Sequence, residues 1–160
     1  MKVASIIKSK GATVLTTPPG GSEYTAYRDE AAKAGRKIAL GQSVGAFRSV
    51  ALGNSYTEAY SLGAHAQGTG FIEYFSGFGF FEAYRFPGET TPVPQTYERM
   101  VEAKYALVGT ADDVKRELDA LRQNTNLEWF GWYFDQGLMS WDDTKRQLEM
   151  FAKIMPEFRD

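Results

Sequence analysis

Two capped helices on either side of a run of aromatics constrain this chain more than any other feature of its sequence. Thr110 and Ser140 each precede an apolar-periodic stretch and are followed three places on by Asp113 and Asp143. A hydroxyl placed there takes up free backbone amides of a first helical turn, in a shortened form of the capping box. Val114, Leu118 and Leu121 recur at intervals of four and three, as do Trp141, Thr144, Leu148, Phe151 and Met155. Each helix is therefore expected to bury one stripe and to expose a charged face. Between them, Leu127 to Phe134 is apolar or aromatic apart from Glu128 and Gly131. That composition suits a strand covered on both faces.

The rest of the chain repeats the alternation. Thr13 to Thr17 is rich in β-branched residues and stops at Pro18-Pro19-Gly20-Gly21, a strand running into a turn. Ser22 can cap the next helix, whose buried stripe is Tyr24, Tyr27, Ala31 and Ala34 and whose end is Gly35. Ala46 to Leu52 reads as a second strand, followed by a full capping box, Ser55 with Glu58, and a helix from Tyr56 to about Ala66 with Ala59, Tyr60 and Leu62 on its apolar side. The opening residues Val3, Ala4, Ile6 and Ile7 read as the end of a helix begun upstream. Three strands and about five helices in this alternation predict an α/β fold with a parallel sheet and right-handed crossovers, within a single domain spanning residues 1–160.

Residues 68–96 break the rhythm, with eight Phe and Tyr residues from Phe71 to Phe86 set among glycines and followed by Pro87, Pro92 and Pro94. The glycines follow no strand and lack a phosphate-cradle spacing. Two readings stand: an aromatic, Gly/Pro-rich insertion packed on outer helices or on a partner, or a mobile segment over a site, lining an apolar pocket.

Composition removes several function classes. With 18 basic and 20 acidic residues and no basic run, no nucleic-acid partner is expected. The absence of cysteine rules out disulfides, thiolate metal sites and cysteine nucleophiles, and a single histidine, His65, argues against a histidine metal cluster. No apolar segment approaches the ~20 residues of a membrane span, and the first residues do not form a signal peptide. A cytoplasmic protein without a membrane partner is the expectation.

A family resemblance enters with Gly109-Thr110-Ala111-Asp112-Asp113-Val114, the aromatic strand, Asp135-Gln136-Gly137-Leu138, and the ending Leu148 to Phe158. These stretches, with Tyr27-Arg28 through Gly35 and Arg48 to Leu52 leading into Glu58-Ala59, resemble the C-terminal half of luciferase-like flavin-dependent monooxygenases. The resemblance implies a partial (β/α) TIM-like barrel, namely its C-terminal half. It implies FMN, or in some members a deazaflavin, as cofactor, and a small organic substrate together with oxygen. The expected assembly is a homo-oligomer or a pairing with an N-terminal half, because much of the cofactor site in that family precedes anything present here. Two other readings stay open: a non-catalytic half-barrel subunit or binding module, and an unrelated enzyme with an open α/β sandwich and a pocket at a topological switch point.

In such a barrel the working positions lie just past the C-terminal ends of the strands. Thr16 and Thr17 after the first strand, and Asp135 and Gln136 after the last, are thus the candidate cofactor-binding residues. For each pair a plainer role is open, as the turn into Pro18 or the turn to Ser140. Arg48, early in its strand, calls for an anion or a structural ion pair. Asn54 is overshadowed by the cap at Ser55, and Trp132 or Phe134 could stack near a flavin or simply pack. No residue is singled out as catalytic.

Overall fold

The computed structural model describes residues 14–16, 22–135 and 137–158. Among them four strands form one parallel sheet: β1 (Val14–Thr16), β2 (Val44–Leu52), β3 (Ala106–Gly109) and β4 (Trp129–Tyr133). All pairings run through β2. It meets β1 over residues 44–46, β4 over 45–49 and β3 over 49–52. Two strands that pair with the same residue must occupy its opposite edges. Because β1 and β4 share Gly45 and Ala46, and β3 and β4 share Ser49, β4 takes one edge of β2 while β1 and β3 divide the other. The expected α/β class is therefore the observed one: an open, barrel-like arc of parallel strands alternating with helices.

The helices are α1 (Ser22–Lys33), α2 (Tyr56–Gly63), α3 (Thr69–Phe75), α4 (Tyr97–Glu102), α5 (Ala111–Thr125) and α6 (Trp141–Ile154). Their starts follow the sequence. Thr110 and Asp113 form a reciprocal capping box at α5, and Ser140 and Ser55 accept from Asp143 N and Glu58 N. Gly41, with a φ of +81°, lets the loop before β2 lie against the end of α5, where an added Cβ would stand 1.8 Å from the Asn126 carbonyl oxygen.

The strands divide their side chains between two layers. Val50, Leu52 and Leu107 pack with Val114 and Leu118 of α5 and with Phe151 and Ile154 of α6. The residues between them, Ala51, Ala106 and Val108, face Ala59 of α2, Phe71 of α3, and Tyr97 and Met100 of α4. Tyr24 and Tyr27 of α1 close over Val44. Each fully buried Leu, Val or Phe contributes about 1.5–3 kcal/mol, so both layers matter to stability. No helix among the described residues is long and apolar enough to cross a membrane.

The segment 68–96 continues α2 through a π turn (Ala64–Gly68) into α3 and two short 3₁₀ turns (Ser76–Phe78 and Phe80–Tyr84), and it packs Phe71, Phe81 and Tyr84 with residues of α2, α4 and the sheet. Three local expectations need correction. β3 is a fourth strand; four residues between a short helix and a cap carry too little pattern to announce one. The buried stripe of α6 is Gln147, Phe151 and Ile154, whereas Trp141 and Leu148 are exposed. β4 is only half-buried rather than covered on both faces, because among the described residues it is paired along one edge alone.

Candidate functional site

Buried polar chemistry gathers where β2 and β4 end. β4 pairs with β2 only as far as Ser49, which leaves backbone groups of Val50 and Leu52 in need of partners in an apolar interior. Two glutamines meet them. Gln147 of α6 accepts from Leu52 N at 2.8 Å through Oε1 and donates to Leu52 O at 2.7 Å through Nε2, copying the bonds of a neighbouring strand. Gln67, in the π turn, donates through Nε2 to Val50 O at 2.7 Å and to Phe134 O at 3.2 Å. Its Oε1 accepts from the Ser49 hydroxyl and, at 3.0 Å, from the Tyr97 hydroxyl. Gln67 thus uses both donors and both lone pairs. Turns of the π type are rare and concentrate at functional sites; here the turn brings a wholly buried amide to the sheet.

Beside this network stands a wall of phenols. Tyr84 ends the second 3₁₀ turn, Tyr105 precedes β3 and Tyr133 ends β4. Ring centroids are 5.2 Å apart for Tyr84 and Tyr105 and 6.2 Å for Tyr105 and Tyr133, and Phe47 stacks on Tyr133 at 5.4 Å. Burial pushes the hydroxyls of Tyr84, Tyr97, Tyr105 and Tyr133 up from their ordinary range, so all four remain protonated donors at neutral pH. The enclosed hydroxyls of Tyr84 and Tyr133 both lie close to the Tyr105 hydroxyl, and that of Tyr133 close to Ser49 as well, but short of full hydrogen-bond geometry. Enclosed donors of this kind call for an acceptor, from water or from a ligand. Arg48 is also buried: its Nη1 donates to Phe47 O at 2.9 Å, and burial pushes its guanidinium down against the opposing hydrogen bond of Tyr24.

The candidate residues read from sequence fall at scattered places. Thr16 is the last residue of β1, level with Ala46. Thr17 and Gln136 lie outside the described residues. Asp135 follows β4 on the opposite edge of β2; its Oδ1 accepts from Leu138 N and Met139 N, each at 2.9 Å, closing the turn toward Ser140. Tyr133 is level with Ser49, so Asp135 stands five residues further along the strand direction than Thr16, roughly 16 Å. These two are not brought together by the described structure. Asn54 donates its amide to Glu58 Oε2 at 2.8 Å, and Glu58 in turn holds Arg146 of α6 at 2.6 Å.

The sequence reading passed over Gln67, Ser49 and the phenol wall. A serine inside the apolar run Arg48 to Leu52 was the one available signal, since a polar residue there must find a buried partner. A groove of about 230 Å³ lined by Leu118, Leu127, Phe130 and Phe158 lies at the other end of β4, away from this network.

No protein-family model matches the chain, and no curated protein matches its sequence. Solved structures do match its fold. The monooxygenase RslO1 of Streptomyces bottropensis superposes with a TM-score of 0.62 at 20% identity, over 98% of this chain and 45% of its own. The oxygenating constituent of 3,6-diketocamphane monooxygenase from Pseudomonas putida, a type II Baeyer-Villiger monooxygenase in complex with FMN, gives 0.66 at 19% identity, over 95% of this chain and 43% of its own. A riboflavin lyase holding a modified FMN gives 0.53 at 16% identity, over 91% and 38%. The chain therefore shares the fold of part of these proteins and spans less than half of their length.

Proposed function

We propose that this chain is part of a flavin-dependent monooxygenase that acts on a small organic substrate with oxygen. The supporting observation is the superposition of nearly the whole chain on two monooxygenases, one of them in complex with FMN. FMN is the proposed cofactor rather than a deazaflavin, because the diketocamphane monooxygenase is in complex with FMN and the riboflavin lyase holds a modified FMN. The chain's own residues fit a planar, polar-edged ring system in one respect: Tyr84 and Tyr133 present enclosed hydroxyls whose neighbours Tyr105 and Ser49 do not meet them in full hydrogen-bond geometry.

In this reading the phenol wall orients the polar edge of the ring or of a carbonyl substrate. The packed aromatics around it, Phe47, Phe71 and Tyr105, exclude water. Thr16 and Thr17 would bond a phosphate or ribityl chain, and Asp135 and Gln136 a polar edge, with Oδ2 the carboxylate oxygen that Asp135 has to offer. The flavin, when bound, supplies the activation of oxygen; the protein contributes binding and orientation. Because the resembling proteins are more than twice as long, the remainder of the site belongs to an N-terminal half or to another subunit.

The test is a fluorescence titration of the purified chain with oxidised and reduced FMN. Saturable binding with a Kd on the order of micromolar, weakened in Tyr133→Phe and Asp135→Asn, is the expected result. A folded protein that leaves FMN fluorescence unchanged at every concentration would refute the placing of a flavin site on Tyr133 and Asp135 of this chain.

A further inference from the structure

Arg48 brings a positive charge to the phenol wall. It is 2% exposed; burial acts against its charge, and Tyr24, Tyr105 and Tyr84 act in favour of it. Tyr84 is 0% exposed, and its hydroxyl and that of Tyr133 converge on the Tyr105 hydroxyl short of full hydrogen-bond geometry. This chain by itself encloses both oxygens. Their unmet demand for an acceptor therefore does not depend on what a longer protein adds.

Two hydroxyl donors and one guanidinium match a carboxylate, which has two oxygens, about four lone-pair sites and a single negative charge. A phosphate group carries up to about two charges at neutral pH, more than one guanidinium balances. A neutral carbonyl has one oxygen and no charge to set against Arg48. The surrounding rings favour an organic carboxylate over a hydrated ion: Phe71 lies 5.1 Å from the Tyr105 ring, and Phe47 stacks on Tyr133 at 5.4 Å. Phe47 is also 38% exposed and sits over Gly131, where an added Cβ would stand 2.6 Å from its Cδ2. It is the ring between Tyr133 and solvent.

We infer that the small organic substrate carries a carboxylate, which Tyr84, Tyr133 and Arg48 bind after Phe47 moves aside. The two phenols donate to it by turning their hydroxyl protons away from Tyr105, a rotation about one bond. This names the substrate group for the flavin reading and rests on it for the reaction, but carboxylate binding needs no flavin and is measured without it.

Calorimetric titration of the purified chain with benzoate, benzamide and inorganic phosphate, in FMN-free buffer at pH 7, tests it beside Tyr84→Phe, Tyr133→Phe and Tyr60→Phe. Benzoate is expected to saturate with a Kd on the order of a millimolar or tighter. Benzamide and phosphate should bind at least about tenfold more weakly, and Tyr84→Phe and Tyr133→Phe should weaken benzoate by a similar factor. Tyr60→Phe, remote from the wall, should bind benzoate like wild type. Without ligand, the urea midpoints of Tyr84→Phe and Tyr133→Phe should be no lower than that of wild type, because neither hydroxyl is fully bonded. Lower midpoints would show that both hydroxyls are structural and overturn the inference. So would absence of benzoate binding up to about 50 mM, or folded Phe variants that bind it like wild type. Phosphate or benzamide binding as well as benzoate would remove the carboxylate assignment. A parallel FMN titration separates the two readings: benzoate binding without FMN binding sinks only the flavin site, and the reverse sinks only the carboxylate.

Discussion

Gln147 lies one turn before Phe151 on the buried stripe of α6, where a polar side chain needs partners; it is 1% exposed and bonds both backbone groups of Leu52. Replacement by leucine preserves the volume and strands a buried N–H and C=O together, so Gln147→Leu should destabilise the protein by about 2–4 kcal/mol. Urea denaturation measures this directly; a loss near zero would mean that water takes over both bonds. Tyr60 gives a prediction in pH. Its hydroxyl donates to Glu98 Oε1 at 2.5 Å, and burial, then that bond, push it up to about 12. A phenol raised above its unfolded value of ~10 contributes stability below that pH and loses it as the pH climbs through the folded value. Glu98, held below the usual carboxylate range first by the same bond, contributes in the opposite direction, losing its share as the pH falls. Thermal melting should drop more steeply between about pH 10 and 12 in wild type than in Tyr60→Phe. Equal slopes would show that the Tyr60–Glu98 bond has no part in the alkaline loss. Little of the candidate site could be read from residues alone. Gln67 sits in a helical stretch where glutamine is ordinary, and only the π turn makes it a buried four-bond partner.

At the scale of elements, what was legible is what local chemistry specifies. Thr110, Ser140 and Ser55 mark helix starts because side-chain caps act within four residues, and the structure places a helix after each. β3 was not legible: its four residues are strand because β2 offers Ser49 to Leu52 as a template, a requirement set by distant parts of the chain. The face of α6 was misread for a related reason, since Trp141 and Leu148 match the helical period but nothing in the described fold covers them. Between α5 and β2 the fit is set by backbone alone. Gly41 has a left-handed φ and no room for a Cβ against Asn126, whose own side chain donates to Leu40 O at 3.2 Å. Gly41→Ala should cost more than about 3 kcal/mol, with loss of the α5–β4 corner before the rest. Hydrogen exchange at Leu127 and Glu128 would register it; unchanged protection there would show that the loop can move aside.

For the whole molecule, the deciding feature is that β2 supplies both layers. Val50 and Leu52 belong to the α5–α6 side and Ala51 to the side of the aromatic segment, so neither layer keeps its floor if the other is lost. One cooperative unit follows, although the two clusters share no side chain. Phe71→Leu on one face and Ile154→Val on the other should each cost about 1 kcal/mol, and their effects should add within about 0.5 kcal/mol. The protein provides a probe for each side. Trp132 lies 4.0 Å from Phe151 on the α6 face, while Tyr84, Tyr97 and Tyr105 cluster on the other. Tryptophan fluorescence and tyrosine near-UV dichroism should therefore report one urea midpoint in wild type, in both single variants and in the double variant. Separate midpoints, with Phe71→Leu moving only the tyrosine signal, would mean that the aromatic segment unfolds apart from the sheet. The phenol wall would then be a detachable cover rather than part of the core that β2 organises.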